Sequence, residues 1–351
     1  MPLPERILSV NPARPRDAAP MLNVAVIGLG WWGRTILPQL RVNATLRAVM
    51  AVDVNPASAE FAREHGARFA ASYAQALADP AVQGVILCTP HTQHTEQVIA
   101  AARARKHVFC EKPLALNRAD ALRSIAAVEA AGVALAVGHE RRFEPPILEA
   151  MRLVRAGAIG KPLQIEANFS QDKFLNMPAD NWRLTSKEAP AGPMTATGIH
   201  LLDLSVGVFG QAASAYASVK QLGSHLTNGD TLAVLVSFKN GGHALISAIL
   251  ATPFDGRFAI YGNEGWIDVR DNAHPESPAG WVLTHCKRGG EKIVRAFAPA
   301  SSVLANLEAF ADAATGGAPY PVPRSEMIAN ISALEAIFKS AVSGRVEVVE
   351  G

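Results

Sequence analysis

Three stretches of this 351-residue chain carry residue types at spacings that can do chemistry. Val24 to Gly33 reads VAVIGLGWWG, an apolar run that ends in Gly28, Gly30 and Gly33. Gly28 lets the chain turn sharply out of a strand, Gly30 keeps a side chain away from a pyrophosphate, and Gly33 lets a helix approach the strand closely. The free N–H groups at the start of that helix would hold the phosphates of a dinucleotide. A second run, Arg47 to Val54 (RAVMAVDV), places Asp53 at 20 residues after Gly33. That is the interval at which a carboxylate meets the ribose hydroxyls of adenosine. A carboxylate there repels a 2′-phosphate, so NAD is expected rather than NADP. The third stretch is Lys106 to Pro113, KHVFCEKP, in which a strand ends at Glu111-Lys112-Pro113. In an open parallel sheet the ligand crevice lies outside the carboxyl ends of the strands, so Lys112 stands at its mouth. A lysine held there positions a substrate hydroxyl and, when desolvation lowers its pKa, exchanges a proton with it.

These residues need a scaffold, and the hydrophobic pattern supplies one. Apolar runs at 24–27, 47–52, 84–88, 106–110 and 133–137 alternate with helical patterns around 33–42, 56–65, 73–78, 92–104 and 117–131. Strands that alternate with crossover helices predict a doubly wound parallel sheet, here an NAD-binding domain over 21–144. Asn117 reads as an N-cap and Gly132 as a helix terminator. After Pro145 and Pro146 the texture changes to a helix at 147–156, then strand-like segments from 163–170 to 292–296 joined through glycine turns. This predicts an open, mostly antiparallel sheet, interrupted by a helix at 197–209 and closed by helices at 302–315 and 325–343. The expected fold class is therefore α/β, a Rossmann domain followed by an α/β domain over 145–351 for substrate binding and oligomerisation. The last helix is expected to pack back on the first domain.

Composition narrows the field. With 49% hydrophobic and 18% charged residues, the chain can bury a large core, yet no segment has the roughly 18 uninterrupted apolar residues of a membrane span. A formal net charge of +2 gives no reason to expect a nucleic-acid partner. Cys88, Cys110 and Cys286 are too few and scattered for a disulfide framework and read as reduced thiols of a cytoplasmic protein. Residues 1–20 lack the apolar core of a signal peptide and read as a flexible tail, or an arm on a neighbouring subunit. Cys88, His91 and His94 lack a fourth ligand at usual spacing, so no metal is expected. An exposed face on the second sheet would leave a large apolar surface, which predicts a homodimer or homotetramer.

The chain resembles the glucose–fructose oxidoreductase / inositol dehydrogenase / MocA (Gfo/Idh/MocA) family. GLGWWG at 28–33, VD at 52–53, TPHTQH at 89–94, KHVFCEKP at 106–113, GHERRFEP at 138–145 and GIHLLD at 198–203 follow in that family's order. YGNEGWIDV at 261–269 and SAVSGRVEVV at 340–349 resemble it too. The resemblance implies oxidation or reduction of sugars, inositols and related alcohols with NAD(P). It assigns Gly28, Gly30, Trp31, Trp32 and Gly33 to the pyrophosphate loop and Asp53 to the ribose. Thr89, Pro90 and His94 match the segment that passes the nicotinamide ribose, and Glu111, Lys112 and Pro113 the signature with the catalytic-site lysine. His200, which by composition alone reads as a core histidine, matches the acid/base histidine. Trp182 and Arg183 resemble a Trp-Arg pair before its helix, and Arg142, Trp182, Arg183 and Thr197 are candidates to meet substrate.

Two departures stand out. Many members carry an aspartate four residues before this histidine, where this chain has Ala196, and Glu140 stands where asparagine is frequent. Asp203 is left as a residue that could orient the imidazole. The expected function is an NAD-dependent dehydrogenase for a secondary alcohol of a sugar, inositol or polyol, with Lys112 and His200 as catalytic residues. Two alternatives remain: an NAD-dependent glycoside hydrolase of the same fold, and an NAD-binding sensor that has lost turnover with the aspartate.

Overall fold

The computed structural model describes residues 21–350, so the tail expected at 1–20 lies outside the described residues. Six parallel strands form the first sheet: β1 (Leu22–Ile27), β2 (Leu46–Val52), β3 (Arg68–Ala70), β4 (Gly84–Leu87), β5 (His107–Cys110) and β6 (Leu135–Val137). Their spatial order is β3-β2-β1-β4-β5-β6. The order reverses between β1 and β4, and at such a switch point a crevice opens beyond the carboxyl ends of the strands. Helices α1 (Trp31–Leu40), α2 (Ser58–Glu64), α3 (Tyr73–Ala78), α4 (His94–Arg103) and α5 (Arg118–Ala131) make the crossovers. Strand β4 is buried along its whole length because helices cover both faces of the sheet, and it reads as a continuous apolar run. Asn117 caps α5 through the Asp120 N–H, and Gly132 ends it at φ 66°. The pattern did not predict β3. Three residues, Arg68-Phe69-Ala70, are too short to carry a period, and only pairing with β2 makes them a strand.

Gly28 has φ 89°, a left-handed conformation that favours glycine. A Cβ on Gly33 would stand 1.9 Å from the Gly28 carbonyl oxygen, so the approach of α1 to the turn excludes any side chain there.

The second sheet has nine strands. They are β7 (Pro162–Ser170), β8 (Ala212–Lys220), β9 (Thr231–Phe238), β10 (His243–Ile249), β11 (Asp255–Gly262), β12 (Gly265–Asp271), β13 (Trp281–Lys287), β14 (Lys292–Phe297) and β15 (Glu347–Val348). They lie in the order β14-β13-β12-β11-β7-β10-β9-β8-β15. All neighbours are antiparallel except β7 and β10, which run parallel. Helices α6 (Pro145–Arg155), α7 (Ile199–Phe209), α8 (Ser302–Ala314) and α9 (Arg324–Ser343) complete the chain. Helix α7 is buried on nearly every side, as its apolar sequence requires. The opposite face of the sheet carries Tyr216, Leu235 and Leu245, partners across β8, β9 and β10, each exposed.

Helix α8 does not stay with the second sheet. Phe310 packs edge-on against Phe109 of β5 at 5.8 Å, and Asn306 donates to the Val137 carbonyl of β6 at 3.0 Å. Helix α9 reaches both layers: Glu335 accepts from the Arg118 N–H of α5 at 2.8 Å, and Ser340 accepts from the Ala217 N–H of β8 at 2.9 Å. The division of the chain near residue 145 is thus crossed by its C-terminal helices, because an apolar helix face does not specify which sheet it covers.

A buried ion cluster joins the end of the first half to the second sheet. Arg141, 1% exposed, lies between Glu144 and Asp271, with Nη2 2.7 Å from Asp271 Oδ2. Trp281 Nε1 donates to Asp271 Oδ1 at 2.9 Å. Removing one member of such a cluster leaves a buried charge without its partner. Asp271→Ala is expected to lower the unfolding free energy by about 3–5 kcal/mol in urea titrations. Arg123→Ala, which removes exposed pairs with Glu96 and Asp120, should leave the urea midpoint nearly unchanged.

Candidate active site

The carboxyl ends of β1, β4 and β5 face the end of β7 and the turn before α7 across a cleft lined by Trp31, Lys112, Glu140, Arg183, His200 and Glu276 among others. The glycine loop adjoins the cleft through Trp31 and Trp32. A Cβ on Gly30 would have no protein atom within 4 Å, so packing does not demand glycine there, and the empty space is what a pyrophosphate needs. Asp53 closes the loop from β2: Oδ2 accepts from the Leu29 N–H at 2.6 Å and Oδ1 from the Asn55 N–H at 2.8 Å. The sequence reading placed this carboxylate on ribose hydroxyls; in the structure its contacts are with the N–H groups of the loop. Two N–H donors leave acceptor capacity on a carboxylate for hydroxyls. The open Gly30, the loop N–H groups and Asp53 fit a dinucleotide.

Glu111, Lys112 and Pro113 leave β5 at the switch point, with a cis bond between Lys112 and Pro113. Lys112 Nζ crosses to the second half and donates to the carbonyl oxygens of Thr195 and Ala196, at 3.1 and 2.7 Å. Those carbonyls belong to a π turn, Met194–Gly198, that precedes α7. Such turns displace carbonyls from the regular helical ladder and recur at functional sites. His94 ties two segments of the cleft together: Nδ1 lies 2.7 Å from the Pro113 carbonyl and Nε2 3.1 Å from that of Thr89. His91 Nδ1 meets the Glu188 carbonyl at 2.6 Å. Among the described residues no cluster of His, Cys, Asp and Glu is placed to hold a metal ion.

His200 lies in the first turn of α7, 4% exposed, and lines the cleft. Asp203 does not orient it. Arg142 takes Asp203 through Nε at 2.5 Å and Nη2 at 2.9 Å, and also binds Glu326 of α9. Arg142 was a candidate to meet substrate, and the structure corrects this: its guanidinium is turned to a buried pair that holds α7 against α9. Glu140 instead approaches the imidazole, with Oε2 3.6 Å from Nδ1. The Thr197 hydroxyl donates to the Pro193 carbonyl at 3.2 Å, although the residue lines the cleft. Trp182 packs edge-on against His91 at 4.8 Å, and the Arg183 guanidinium stacks 4.2 Å over Trp182 and 5.8 Å from the Trp31 ring. The sequence reading missed His274 and Glu276. Gln171 Oε1 accepts from His274 Nε2 at 2.6 Å, and Lys173 Nζ donates to Glu276 at 2.9 Å. Their only signal was a histidine and a glutamate flanking Pro275 in a loop, and nothing in the chain says that this loop reaches the cleft.

Burial governs the charges. It pushes the Glu111 carboxyl up to about 8, with Glu140 beside it acting in the same direction. It pushes Glu140 up to about 7, only partly offset by Lys112. Burial lowers the Lys112 ammonium and, with Lys112 and other cations nearby, takes His200 well below the ordinary imidazole value. Arg183 falls to about 10 for the same reason. The cleft therefore presents at neutral pH an uncharged imidazole, a carboxyl poised near neutrality and a lysine held in place, which is an arrangement for moving a proton.

Residues 22–139 match the NAD-binding Rossmann fold of the GFO/IDH/MocA oxidoreductase family, and residues 147–268 match the GFO/IDH/MocA C-terminal domain. A 1,5-anhydro-D-fructose reductase of Ensifer adhaerens is 28% identical over 83% of this chain and 87% of that protein. A myo-inositol 2-dehydrogenase of Thermotoga maritima is 33% identical over 54% of this chain, and the match spans only 57% of that relative. The crystal structure of an aldose-aldose oxidoreductase from Caulobacter crescentus, complexed with glycerol, superposes with a TM-score of 0.81 at 25% identity, covering 94% of this chain and all of that one. The two matched segments share one cleft and together span more than half of the sequence, so the chain belongs to the Gfo/Idh/MocA family of oxidoreductases.

Proposed function

We propose that this protein is an NAD-dependent dehydrogenase that interconverts a secondary alcohol and a ketone of a sugar, an inositol or a related polyol. The observation that carries the reading is that Lys112 and His200, from different halves of the chain, line one cleft at the mouth of the glycine loop. The names of the relatives support the substrate class, each being an enzyme of a sugar, a sugar derivative or an inositol. Asp53 at the end of β2 favours NAD, because its charge opposes a 2′-phosphate. Bound nicotinamide supplies the acceptor and donor of the hydride. The protein positions the alcohol and moves its proton: Lys112, anchored on the π turn, orients the hydroxyl, and neutral His200 takes the proton in oxidation and returns it in reduction. An inactive sensor is disfavoured by the buried titratable groups that remain in the cleft despite Ala196. The row Tyr216, Leu235 and Leu245 supports association of two or more copies through the second sheet.

Lys112→Ala is expected to reduce kcat/KM by about a hundredfold or more on the best substrate of a sugar and inositol panel, read as NADH absorbance, while NAD affinity changes little. Unchanged turnover would contradict the role of the lysine. Because the folded-state pKa of Glu111 is raised to about 8 from 4.5, its ionisation costs the folded state. The associated stability is complete at acid pH and is lost as pH rises through both values. Glu111→Gln should therefore melt several degrees above the parent protein at about pH 9, and the difference should vanish near pH 5. In size-exclusion chromatography the parent should elute as a dimer or larger, and the double variant Leu235→Glu, Leu245→Glu as a monomer. A monomeric parent would end the oligomer reading.

A further inference from the structure

Glu140 is a buried carboxylate for which the reaction as described has no use. It opens the short helical turn Glu140–Phe143 after β6, is 8% exposed, and among the described residues makes no ion pair with lysine or arginine. Its Oε2 stands 3.6 Å from Nδ1 of His200, and that nitrogen is enclosed by protein without a hydrogen-bond partner. Closing the gap by about half an ångström makes a hydrogen bond, and catalytic contacts commonly tighten on substrate binding. Among the described residues no other carboxylate pairs with Nδ1. Position 196, one helical turn before His200, is alanine, and Asp203 is taken by Arg142.

The surroundings make this contact consequential. Lys112 from the end of β5, His139 and Arg141 from the segment after β6 and His274 from the β12–β13 loop all oppose a positive charge on His200, as does burial itself. Around Glu140 stand Lys112 and Arg141, which favour its charge, and Glu276, which disfavours it, as does Glu111 through mutual repulsion. A base that had to become an imidazolium here would be weak at neutral pH. We propose, building on the assignment of His200 as the base, that Glu140 is the terminal proton acceptor of the cleft and takes the Nδ1 proton of His200 as Nε2 accepts the proton of the substrate hydroxyl. In oxidation the carbinol O–H bond breaks as the Nε2–H bond forms, and the Nδ1–H bond breaks as the Oε2–H bond forms. The carbinol hydride leaves to the nicotinamide dinucleotide, the oxidant. The imidazole is neutral before and after, and a carboxylate has become a carboxylic acid; reduction runs the same transfers backward. Glu140 acts through His200, so it is a positioning residue. Its charge selects the tautomer: ionised Glu140 holds the Nδ1–H form, which leaves Nε2 a base, and protonated Glu140 holds the Nε2–H form, a donor. The carboxyl, raised to about 7, has a proton affinity suited to both directions.

Nuclear magnetic resonance of the full chain labelled with ¹⁵N-histidine tests the link without substrate, with His200 identified by its loss in His200→Gln. Between about pH 5.5 and about pH 8.5 His200 should pass from the Nε2–H to the Nδ1–H form, with a midpoint near 7 and no imidazolium. Glu140→Gln should hold one form throughout, and Glu140→Asp should restore the conversion at a displaced midpoint. An imidazolium in the parent protein, or an unaltered conversion in Glu140→Gln, overturns the proposal. Stabilisation of each variant by NAD in thermal melts verifies its fold. In turnover, Glu140→Gln should lower kcat by about a hundredfold with little change in KM, and flatten the rise of kcat between about pH 6 and about pH 8. An unchanged kcat and pH profile also overturns it. Failure of every sugar and inositol to reduce NAD would remove the dehydrogenase reading, while the histidine titration decides the Glu140–His200 link independently.

Discussion

Lys112 leaves the end of a parallel strand and ends its reach on two carbonyl oxygens of a π turn in the other half of the chain, at 3.1 and 2.7 Å. Much else in the cleft depends on this crossing. It brings an ammonium between the two sheets, where water is scarce, and every neighbouring charge must then be paired, neutralised or shared. Arg141 and Arg142 are paired, with Asp271 and Glu144 and with Asp203 and Glu326. His200 is neutralised. Glu111 and Glu140, each influenced by the lysine and by the other, remain carboxyls whose ionisation is costly, and these are the groups free to titrate during a reaction.

The paired arginines show how scaffold and site share residues of one short stretch. In GHERRFEP, Glu140 lines the cleft, Arg141 turns into the ion cluster with the second sheet, and Arg142 holds α7 against α9. Gly138 makes this packing work, since a Cβ there would stand 2.4 Å from the Glu111 carboxylate. Eight residues thus position Glu140, the helix that carries His200 and the contact between the halves of the chain. A substitution in the stretch will seldom affect only one of these, which is why stability and pH dependence have to be read together.

Much of the fold was legible in the chain. Alternating apolar runs and helical patterns marked the parallel sheet, and glycine turns marked a mostly antiparallel one, because hydrophobic period and turn chemistry are local properties. What was missed was not local. Strand β3 exists only through pairing with β2, β7 and β10 run parallel because of the path of the chain between them, and α8 covers the first sheet although it follows the last long strand of the second.

The sequence by itself determined the glycine loop, the carboxylate at Asp53 and the exit of Lys112 from a strand end, since each depends on neighbours within a few residues of backbone. It also marked Ala196 and Glu140 as two separate oddities. Only the tertiary structure decided that they bear on the same imidazole, that Arg142 serves α7 and not the cleft, and that His274 and Glu276 arrive from a distant loop. The reason is physical. Where a side chain ends, and how much water is left around it, is set by every element packed against it, and the charge a buried group carries follows from that enclosure.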